Sequence, residues 1–251
     1  MRPLPVIIVS RNNRHLTAPA VRSAQQQDVP VEILLVDNAS SDNTVRWAAA
    51  RGLTTILATK QWSLSKCWNV ALRALWKAGH DRALVCNNDI ELRQDAARLL
   101  DAHGGPFVTC VGVGEREQVG EPFAAAGDDA FITDRETWRM CWSTILAEAR
   151  PHPDFSCFLI RKSVTDRIGW FDESYYPAYC EDSDYHVRMH RAGIRAVSIS
   201  VPFLHHAAAT LKHCDPTEAA TIKRGADANR KRFAAQYGCL PGSDAYSALF
   251  V

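Results

Sequence analysis

Three short polar segments in the first half of the sequence carry side chains that are suited to bind a ligand. They are Ser10–Asn13, Asp37–Asp42 and Asn87–Asp89, and each follows an apolar run that is typical of a buried strand. In an open parallel sheet, ligands bind outside the carboxyl ends of the strands. We therefore predict that the three segments meet in one cleft. Asp37 and Asp89 come where apolar runs stop, which favours a functional role for both carboxylates.

These two carboxylates have the chemistry that a nucleotide sugar requires. A carboxylate after the second strand, such as Asp37, can accept a hydrogen bond from the N3–H of a uracil-type base. A hard cation such as Mn²⁺ or Mg²⁺ binds oxygen ligands and keeps positions free for phosphate oxygens, which suits Asp89. The ion would then act as a Lewis acid on the departing diphosphate.

A second group of reactive side chains lies at Trp170–Glu173 and Glu181–Asp184. The latter acids open a predicted helix, so they either complement the helix dipole or serve catalysis. A carboxylate there is expected to have a lowered pKa and to stay ionised at pH 7, a state that suits a general base. His205 and His206 follow a predicted strand and are candidate metal ligands.

Apolar runs and helical patterns alternate along the chain, which predicts an α/β fold with a doubly wound sheet. The predicted strands are Pro5–Val9, Val31–Val36, Thr54–Ala58, Ala83–Cys86, Val108–Val113, Phe155–Arg161 and Ala196–Val201. The predicted helices are Thr17–Gln27, Asn43–Arg51, Ser65–Ala78, Cys180–Arg191 and 215–237. We expect one domain over 1–211, with halves 1–100 and 101–211, and a helical extension over 212–251.

The composition excludes several classes of protein. With 47% hydrophobic and 23% charged residues the chain is not of the disordered class, and a net charge of +1 gives no overall attraction to nucleic acid or anionic membranes. The 8 cysteines form no CxxC pair, which argues against a zinc finger and favours reduced thiols. No signal peptide and no run of ~20 apolar residues is present, so we expect a cytoplasmic protein.

Five stretches resemble glycosyltransferase family 2 of the GT-A fold, particularly its bacterial rhamnosyltransferase-like members. They are VIIVSRNN, VEILLVDNASSDNT, LVCNNDIEL, GWFDESYYPAYCEDSDYHVRMHRAG and VPFLHHAAAT, in that order, over most of residues 5–100 and 155–210. The resemblance implies a Rossmann-like, mostly parallel sheet flanked by helices. It also implies transfer of a sugar from a nucleotide-sugar donor to an acceptor hydroxyl, mostly with inversion at the anomeric carbon.

The resemblance also implies roles for single residues. Asp182 would be the catalytic base with Glu181 beside it, and Trp170 and Asp172 would line the acceptor side. Asp89 and His205 would bind the metal, with His206 as the alternative ligand. The donor would contact Ser10, Asn12, Asp37, Asn69, Asn87 and Asn88. The DxD motif of the family is incomplete here, because Asn87 replaces its first acid.

The sequence leaves the substrates open. The donor could be UDP-, dTDP- or GDP-linked, and Lys60–Ser65 lacks the glycines that relatives have on the donor side. The acceptor could be a glycan, a lipid-linked sugar, a small molecule or a modified nucleic-acid base, and residues 104–150 are expected to select it. A lipid-linked acceptor would add peripheral contact with the inner face of the membrane. The basic residues of the tail fit either a phosphate-bearing acceptor or a solvated helix face; they are Arg224, Arg230, Lys231 and Arg232.

Two other functions compete with glycosyl transfer. A nucleotide-sugar-binding protein without catalytic activity, on the same scaffold, is supported only by the incomplete DxD motif. A sugar-nucleotide pyrophosphorylase would need a glycine-rich, basic phosphate loop near the amino terminus, and Ser10–His15 contains no glycine. Glycosyl transfer is therefore the favoured reading.

Overall fold

Strands and helices alternate in the first half of the chain, as its apolar runs predict. The computed structural model describes residues 2–113, 153, 155–206 and 214–250. The first elements are β1 (Leu4–Ser10), α1 (Arg14–Gln25), β2 (Val31–Asp37), α2 (Thr44–Ala50), β3 (Thr54–Leu57), α3 (Leu64–Lys77) and β4 (Arg82–Asn87). The predicted elements of this half are therefore present, with ends that differ by a few residues.

The second half contains more antiparallel pairing. Its elements are β5 (Ile90–Leu92), α4 (Ala96–Ala102), β6 (Phe107–Val113), β7 (Cys157–Arg161), α5 (Lys162–Ile168), α6 (Glu181–Arg191), β8 (Ala196–His205), α7 (Pro216–Tyr237), α8 (Asp244–Ser247) and a 3₁₀ turn at Ala248–Phe250. The short elements β5, α4, α5, α8 and the 3₁₀ turn were not predicted as separate elements.

One sheet runs through the described part of the chain in the order β3-β2-β1-β4-β7-β6-β8-β5. The pairs β1–β2, β1–β4, β2–β3 and β6–β8 are parallel. Strand β7 runs antiparallel to both of its neighbours, and β5 runs antiparallel to β8. The expected mostly parallel sheet flanked by helices is confirmed, and a helical segment, α7, follows the sheet.

Alternate residues of the central strands face two separate apolar clusters, one on each side of the sheet. Ile8 and Leu84 belong to one cluster, and Ile7 and Val85 belong to the other. Burial on both faces explains why these strands read as continuous apolar runs. Trp68 of α3 packs into the second cluster, which fixes α3 on that side.

A third cluster joins the segment before α6 to the C-terminal helix. Its buried residues include Tyr175, Cys180 and Val187 on one side and Phe233 and Tyr237 of α7 on the other. Helix α7 thus packs beside the start of α6. The predicted boundary at residue 211 lies outside the described residues and stays a prediction.

Two features of the described chain bear on its surroundings. No helix within the described ranges is long and apolar enough to cross a membrane. The cysteines in those ranges are free thiols, and all except Cys214 are buried. Burial of this kind is typical of cysteines that pack as small hydrophobic residues.

Candidate active site

The carboxyl ends of β1, β2 and β4 lie side by side at one edge of the sheet. Ser10 is paired with Asp37 in the register of β1 and β2, and Val9 is paired with Asn87 in that of β1 and β4. The three polar segments that were expected to share a cleft therefore begin next to each other.

Asp37 lies at the end of β2 and is only 2% exposed. Its Oδ1 accepts a hydrogen bond from the backbone N–H of Ser40 at 2.9 Å. Its Oδ2 is buried and has no hydrogen-bond partner among the described residues. Because buried polar atoms in folded proteins nearly always have a partner, this oxygen is a suitable acceptor for a ligand N–H.

The loops after β1 and β2 are joined by side-chain hydrogen bonds. The Oδ1 of Asn12 accepts from the backbone N–H of Ser41 at 2.8 Å, and the N–H of Asn12 donates to the Oγ of Ser40 at 2.8 Å. Ser10 is fully buried, and its Oγ lies 2.8 Å from the Oγ1 of Thr17. Ser10 and Asn12, both predicted to contact the donor, therefore also hold the loops together.

A cavity of about 490 Å³ opens where these two loops meet. Its lining residues are Asn12, Asn13, Arg14, His15, Asp42 and Asn43. Asn12, Asn13 and Asp42 of this set belong to the polar segments that the sequence predicted to bind a ligand, and Asn12 was given a donor contact; Arg14, His15 and Asn43 were not predicted.

The segment after α2 and β3 is held against the end of β2 by Asn38. The Nδ2 of Asn38 donates to the carbonyl oxygen of Trp62 at 3.1 Å, and its Oδ1 accepts from the N–H of Trp62 at 2.7 Å. This double hydrogen bond fixes the glycine-free stretch Lys60–Ser65 beside Asp37. Asn38 belongs to the predicted segment Asp37–Asp42, but its contact with Trp62 was not predicted, because a contact between distant segments leaves no local pattern.

Asp89 and His205 are brought together although they are far apart in sequence. Strands β5 and β8 pair antiparallel with Ile90 opposite His205, which sets the imidazole beside the turn that carries Asp89. The Oδ1 of Asp89 lies 3.5 Å from the Nε2 of His205, and Asp89 is 7% exposed. Strand β8 was expected to end at Val201, but it continues through His205 because β5 extends the sheet there.

His206 points to a different partner. Its Nε2 lies 3.0 Å from the Oε1 of Glu91, while its backbone N–H donates to the carbonyl oxygen of Asp89 at 2.8 Å. Successive residues of a strand face opposite sides of the sheet, so the two histidines diverge. Of the two, His205 is the one whose ring meets Asp89.

The side chains of Asp89 and His205 offer ligand atoms that fit a divalent cation. A carboxylate oxygen and an imidazole nitrogen 3.5 Å apart can serve as neighbouring ligands of one divalent ion. Within the described ranges no group of three or more histidine, cysteine, aspartate or glutamate side chains is gathered to hold a metal. An ion bound here would need further oxygen ligands, which a diphosphate and water supply.

The other two residues of the Asn87–Asp89 segment make hydrogen bonds inside the protein. The Nδ2 of Asn88 donates to the Oγ1 of Thr17 at 3.2 Å. The backbone N–H of Asn87 donates to the carbonyl oxygen of Ser156 at 2.9 Å. These contacts fix the turn that carries Asp89 against both α1 and the chain before β7.

Glu181 and Asp182 are the first two residues of helix α6, and they differ in burial. Glu181 is 4% exposed, and its Oε2 has no hydrogen-bond partner among the described residues. Burial raises the pKa of Glu181 well above its ordinary value, and the neighbouring charge of Asp182 raises it further. The expectation of a lowered pKa at this helix start is wrong for Glu181, because burial outweighs the helix dipole. Asp182 is half-buried, and its Oδ1 accepts from the N–H of Ser183 at 2.6 Å.

Tyr179 lies two residues before Glu181 and is 41% exposed. Its pKa is raised, mainly by burial.

Trp170 and Asp172 lie on the segment between α5 and α6. The guanidinium of Arg73 lies 4.5 Å from the ring centre of Trp170. The Oδ1 of Asp172 accepts from the N–H and Oγ of Ser174, at 2.9 and 2.6 Å. Acceptor binding by these two residues stays a prediction.

Asn69 is fully buried, and its amide joins α3 to the same segment. Its Nδ2 donates to the carbonyl oxygen of Phe171 at 2.9 Å and to Glu173 at 3.0 Å, and its Oδ1 accepts from the N–H of Phe171 at 3.0 Å. The polar atoms of Asn69 thus hold protein segments together, a role that the sequence did not suggest. Its predicted contact with the donor stays a prediction.

Among the residues that the structure describes, five other than glycine have a positive φ, and all lie in loops around this site. They are Asn12, Asn13, Ala39, Tyr179 and Cys180. Asparagine visits this region readily, but the other residue types do so at a cost, and such strain is concentrated at functional sites. The positive φ angles at these positions could not be predicted from the sequence, because none of the residues is a glycine.

Several solved structures have a fold similar to that of this chain. Staphylococcus aureus TarS 1-349 in complex with UDP-GlcNAc has a TM-score of 0.62 and 16% identity, and the match covers 99% of this chain and 70% of that one. The mannosyltransferase PcManGT from Pyrobaculum calidifontis, in complex with GDP-Man and Mn²⁺, has a TM-score of 0.57 and 20% identity, over 99% of this chain and 79% of that one. At these identities the likeness concerns the fold.

A curated relative and a family match complete the comparison. An N-acetylglucosaminyl-diphospho-decaprenol L-rhamnosyltransferase of Mycobacterium tuberculosis is 27% identical over 237 residues, covering 82% of this chain and 76% of the relative. The sequence model of the family described as glycosyl transferase family 2 matches residues 6–169, well over half of the chain. The chain therefore belongs to glycosyl transferase family 2 and is a glycosyltransferase of the GT-A fold.

Proposed function

We propose that this glycosyltransferase moves a sugar from a nucleotide-sugar donor to an acceptor hydroxyl with inversion at the anomeric carbon. The observation that carries this proposal is the buried, unpartnered Oδ2 of Asp37 at the same sheet edge as the Asp89–His205 pair. A nucleobase bound at Asp37 and a diphosphate bound at Asp89 and His205 would span the ends of β2, β1 and β4.

The donor side is formed by the first half of the chain. Asp37 accepts an N–H of the base, and Asn12 with the Asn38-held loop shapes the nucleoside pocket. Structures of similar fold were solved with UDP-GlcNAc and with GDP-Man, so UDP-, dTDP- and GDP-linked sugars are the donors to test. Predicted donor contacts of Ser10, Asn87 and Asn88 belong to the same proposal.

Asp89 and His205 are the residues that would hold Mn²⁺ or Mg²⁺. The chemistry that such an ion supplies is neutralisation of the diphosphate charge that develops as the leaving group departs. The GDP-Man complex of similar fold contains Mn²⁺, which supports a cation of this kind. The burial of Asp89 holds its carboxylate in one place for this role.

Asp182 is the proposed general base. It removes the proton of the acceptor hydroxyl while the acceptor oxygen attacks the anomeric carbon and the bond to the nucleoside diphosphate breaks. Asp182 suits this role better than Glu181, because burial raises the pKa of Glu181 well above its ordinary value and so favours its protonated form. The Glu181 carboxyl would then stand beside the base as a neutral group.

The acceptor is the least constrained partner. The printed name of the M. tuberculosis relative describes a sugar on a lipid diphosphate, so a lipid-linked sugar is the first acceptor to test. An acceptor of this kind would bring the protein to the cytoplasmic face of a membrane as a peripheral protein. Trp170 and Asp172 are the acceptor contacts that we propose.

A transfer assay with product analysis tests the proposal. The purified protein is incubated with Mn²⁺, a panel of UDP-, dTDP- and GDP-sugars and lipid-diphosphate-linked sugars, and the products are identified by mass spectrometry and by the configuration of the new linkage. We expect one nucleotide to be released in step with a product of inverted configuration. A product of retained configuration would refute inversion, and donor binding with neither transfer nor hydrolysis would favour the non-catalytic binding protein.

A further inference from the structure

The backbone directly before the catalytic pair is held in an unfavourable conformation. Tyr179 has a φ of 80° and Cys180 has a φ of 72°, and Glu181 and Asp182 follow immediately. Residues with a Cβ are rarely found in this region, and they stay there only when the surrounding structure holds them. The carboxylates therefore depend on whatever fixes this loop.

One side chain of the C-terminal helix fixes it. The Nδ2 of Asn229 donates to the carbonyl oxygens of Ala178 at 2.8 Å, Tyr179 at 3.2 Å and Tyr176 at 3.3 Å. Asn229 is 4% exposed, so water does not compete for these bonds. Three carbonyl groups of one short loop thus converge on a single amide group.

Gly225 allows the helix to come that close. A Cβ built at this position would lie 2.3 Å from the Cδ of Pro177 and 2.7 Å from the carbonyl oxygen of Tyr176, far inside van der Waals contact. Residues 225 and 229 are one turn apart and share a face of α7. The same helix reaches α6 again where Tyr237 donates to the Oδ1 of Asp184 at 2.7 Å.

We infer that two residues of α7, Asn229 and Gly225, are positioning residues for the Glu181–Asp182 pair. This inference rests on the proposed function, because it assigns Asp182 as the base. A base displaced by about 1 Å loses much of its effect, since proton transfer needs a reacting geometry that is set in advance. The loop is joined to the donor side by the hydrogen bond from the N–H of Leu64 to the carbonyl oxygen of Pro177 at 2.9 Å, and substitution of Asn229 does not remove this bond.

The test uses the full-length chain with Asn229→Ala and Asn229→Asp. Both remove the amide donor, and the second keeps the shape of the side chain. We expect kcat to fall about 10- to 100-fold, while the dissociation constant for UDP or the preferred nucleotide changes less than twofold. Hydrogen exchange measured by mass spectrometry should accelerate in peptides that cover 176–182 and stay unchanged in peptides that cover 31–42.

Two control variants separate positioning from general loss of stability. Asp227→Ala alters an exposed residue on the same helix and should behave as wild type. Ile222→Val loosens the packing of α7 at a buried position outside the Asn229 contacts, so it should lower Tm with kcat unchanged. If Asn229→Ala lowers Tm and leaves kcat and loop exchange unchanged, or if Ile222→Val lowers kcat equally, the inference is overturned.

The hydrogen-exchange measurement tests the positioning role of Asn229 independently of the proposed function. Should the wild-type protein transfer no sugar from any donor, the proposed function fails, whereas faster exchange at 176–182 in the variants would still show that Asn229 holds the loop. Unchanged exchange would refute the positioning role even in an active enzyme.

Discussion

Two buried carboxylates with an unpartnered oxygen lie in this site, and their surroundings give them different uses. Asp37 keeps one oxygen bonded to a backbone N–H and offers the other, which suits a ligand donor. Burial raises the pKa of Glu181 well above its ordinary value, which favours the neutral form of its carboxyl. Two residues of the same chemical class therefore have surroundings that suit different roles.

The Asp37→Asn substitution tests the binding role. The new amide would turn an N–H donor towards the N–H of the base, so we expect the dissociation constant of the nucleotide to rise about 10- to 100-fold. Isothermal titration with UDP, dTDP and GDP measures the change. Asp166→Asn, on the exposed face of α5, is a matched control that should leave affinity unchanged. Unaltered affinity in Asp37→Asn would remove Asp37 from the site.

The Asp182→Asn substitution tests the catalytic base. Loss of a general base lowers kcat by about 10²–10⁴-fold, while nucleotide affinity should be kept because Asp37 is intact. Steady-state kinetics with saturating donor give kcat, and titration gives the affinity. Near-normal turnover in this variant would refute the assignment.

The Glu181→Gln substitution tests the neutral carboxyl through stability. Above the ordinary pKa of 4.5 an unfolded chain has Glu181 ionised, whereas the folded protein keeps the proton. Folding of the wild type must then take up a proton, so its stability falls as pH rises towards the raised pKa. Glutamine does not titrate, so the variant should gain Tm relative to wild type from pH 4.5 upwards and gain little at pH 4. A Tm difference that does not change with pH would show that Glu181 is ionised in the folded protein.

At the scale of the elements, the sequence predicts strands and their ends better than it predicts loops. The buried strands β1, β2 and β4 are apolar on both faces, and each ends at a polar side chain, so the clefts at Asp37 and Asp89 could be expected. The positive φ angles of Tyr179 and Cys180 could not be expected, because only the packing of α7 makes them tolerable.

The hydrogen bonds between distant segments could not be predicted from the sequence either. Asn38 bonds Trp62 from 24 residues away, and Asn69 bonds Phe171 from 102 residues away. An asparagine in a loop or a helix has the same local appearance whether or not it makes such a contact. Tertiary structure alone assigns these residues, and it also shows His205, rather than His206, beside Asp89.

Asn38→Asp tests the loop that closes the donor side. A carboxylate still accepts from the N–H of Trp62 but cannot donate to its carbonyl oxygen, so the loop should loosen. We expect weaker nucleotide binding, by about tenfold, and faster hydrogen exchange in peptides that cover 58–64. Gln27→Glu is the matched control, because Gln27 joins the far end of α1 to α4 through the same kind of amide contacts. Equal losses of affinity in the two variants would show a general effect of stability.

At the scale of the molecule, the proposed donor side and the proposed catalytic side come from different halves of the chain. The loops after β1, β2 and β4 supply Asp37 and Asp89, and the chain after β7 supplies Asp182 and His205. Helix α7 contacts both halves, since Glu218 pairs with Arg11 of the β1 loop at 2.6 Å. The site therefore exists only in the complete fold.

Metal removal tests the link between these halves. Asp89 comes from the first half and His205 from the second, and a cation between them would connect both. We expect exhaustive treatment with EDTA to abolish transfer and Mn²⁺ or Mg²⁺ to restore it, measured by product formation. His205→Ala should raise the Mn²⁺ concentration needed for half-maximal activity. Full activity after chelation would exclude a metal role for Asp89.

The most direct test of the nucleotide-sugar site is a thermal-shift measurement with UDP-, dTDP- and GDP-sugars in the presence of Mn²⁺. A ligand that binds only the folded protein must raise Tm, by an amount that grows with its concentration relative to Kd. We predict a rise with at least one of these nucleotide sugars in the wild type and its loss in Asp37→Asn. No rise with any of them, or an equal rise in both proteins, would contradict the site that we describe.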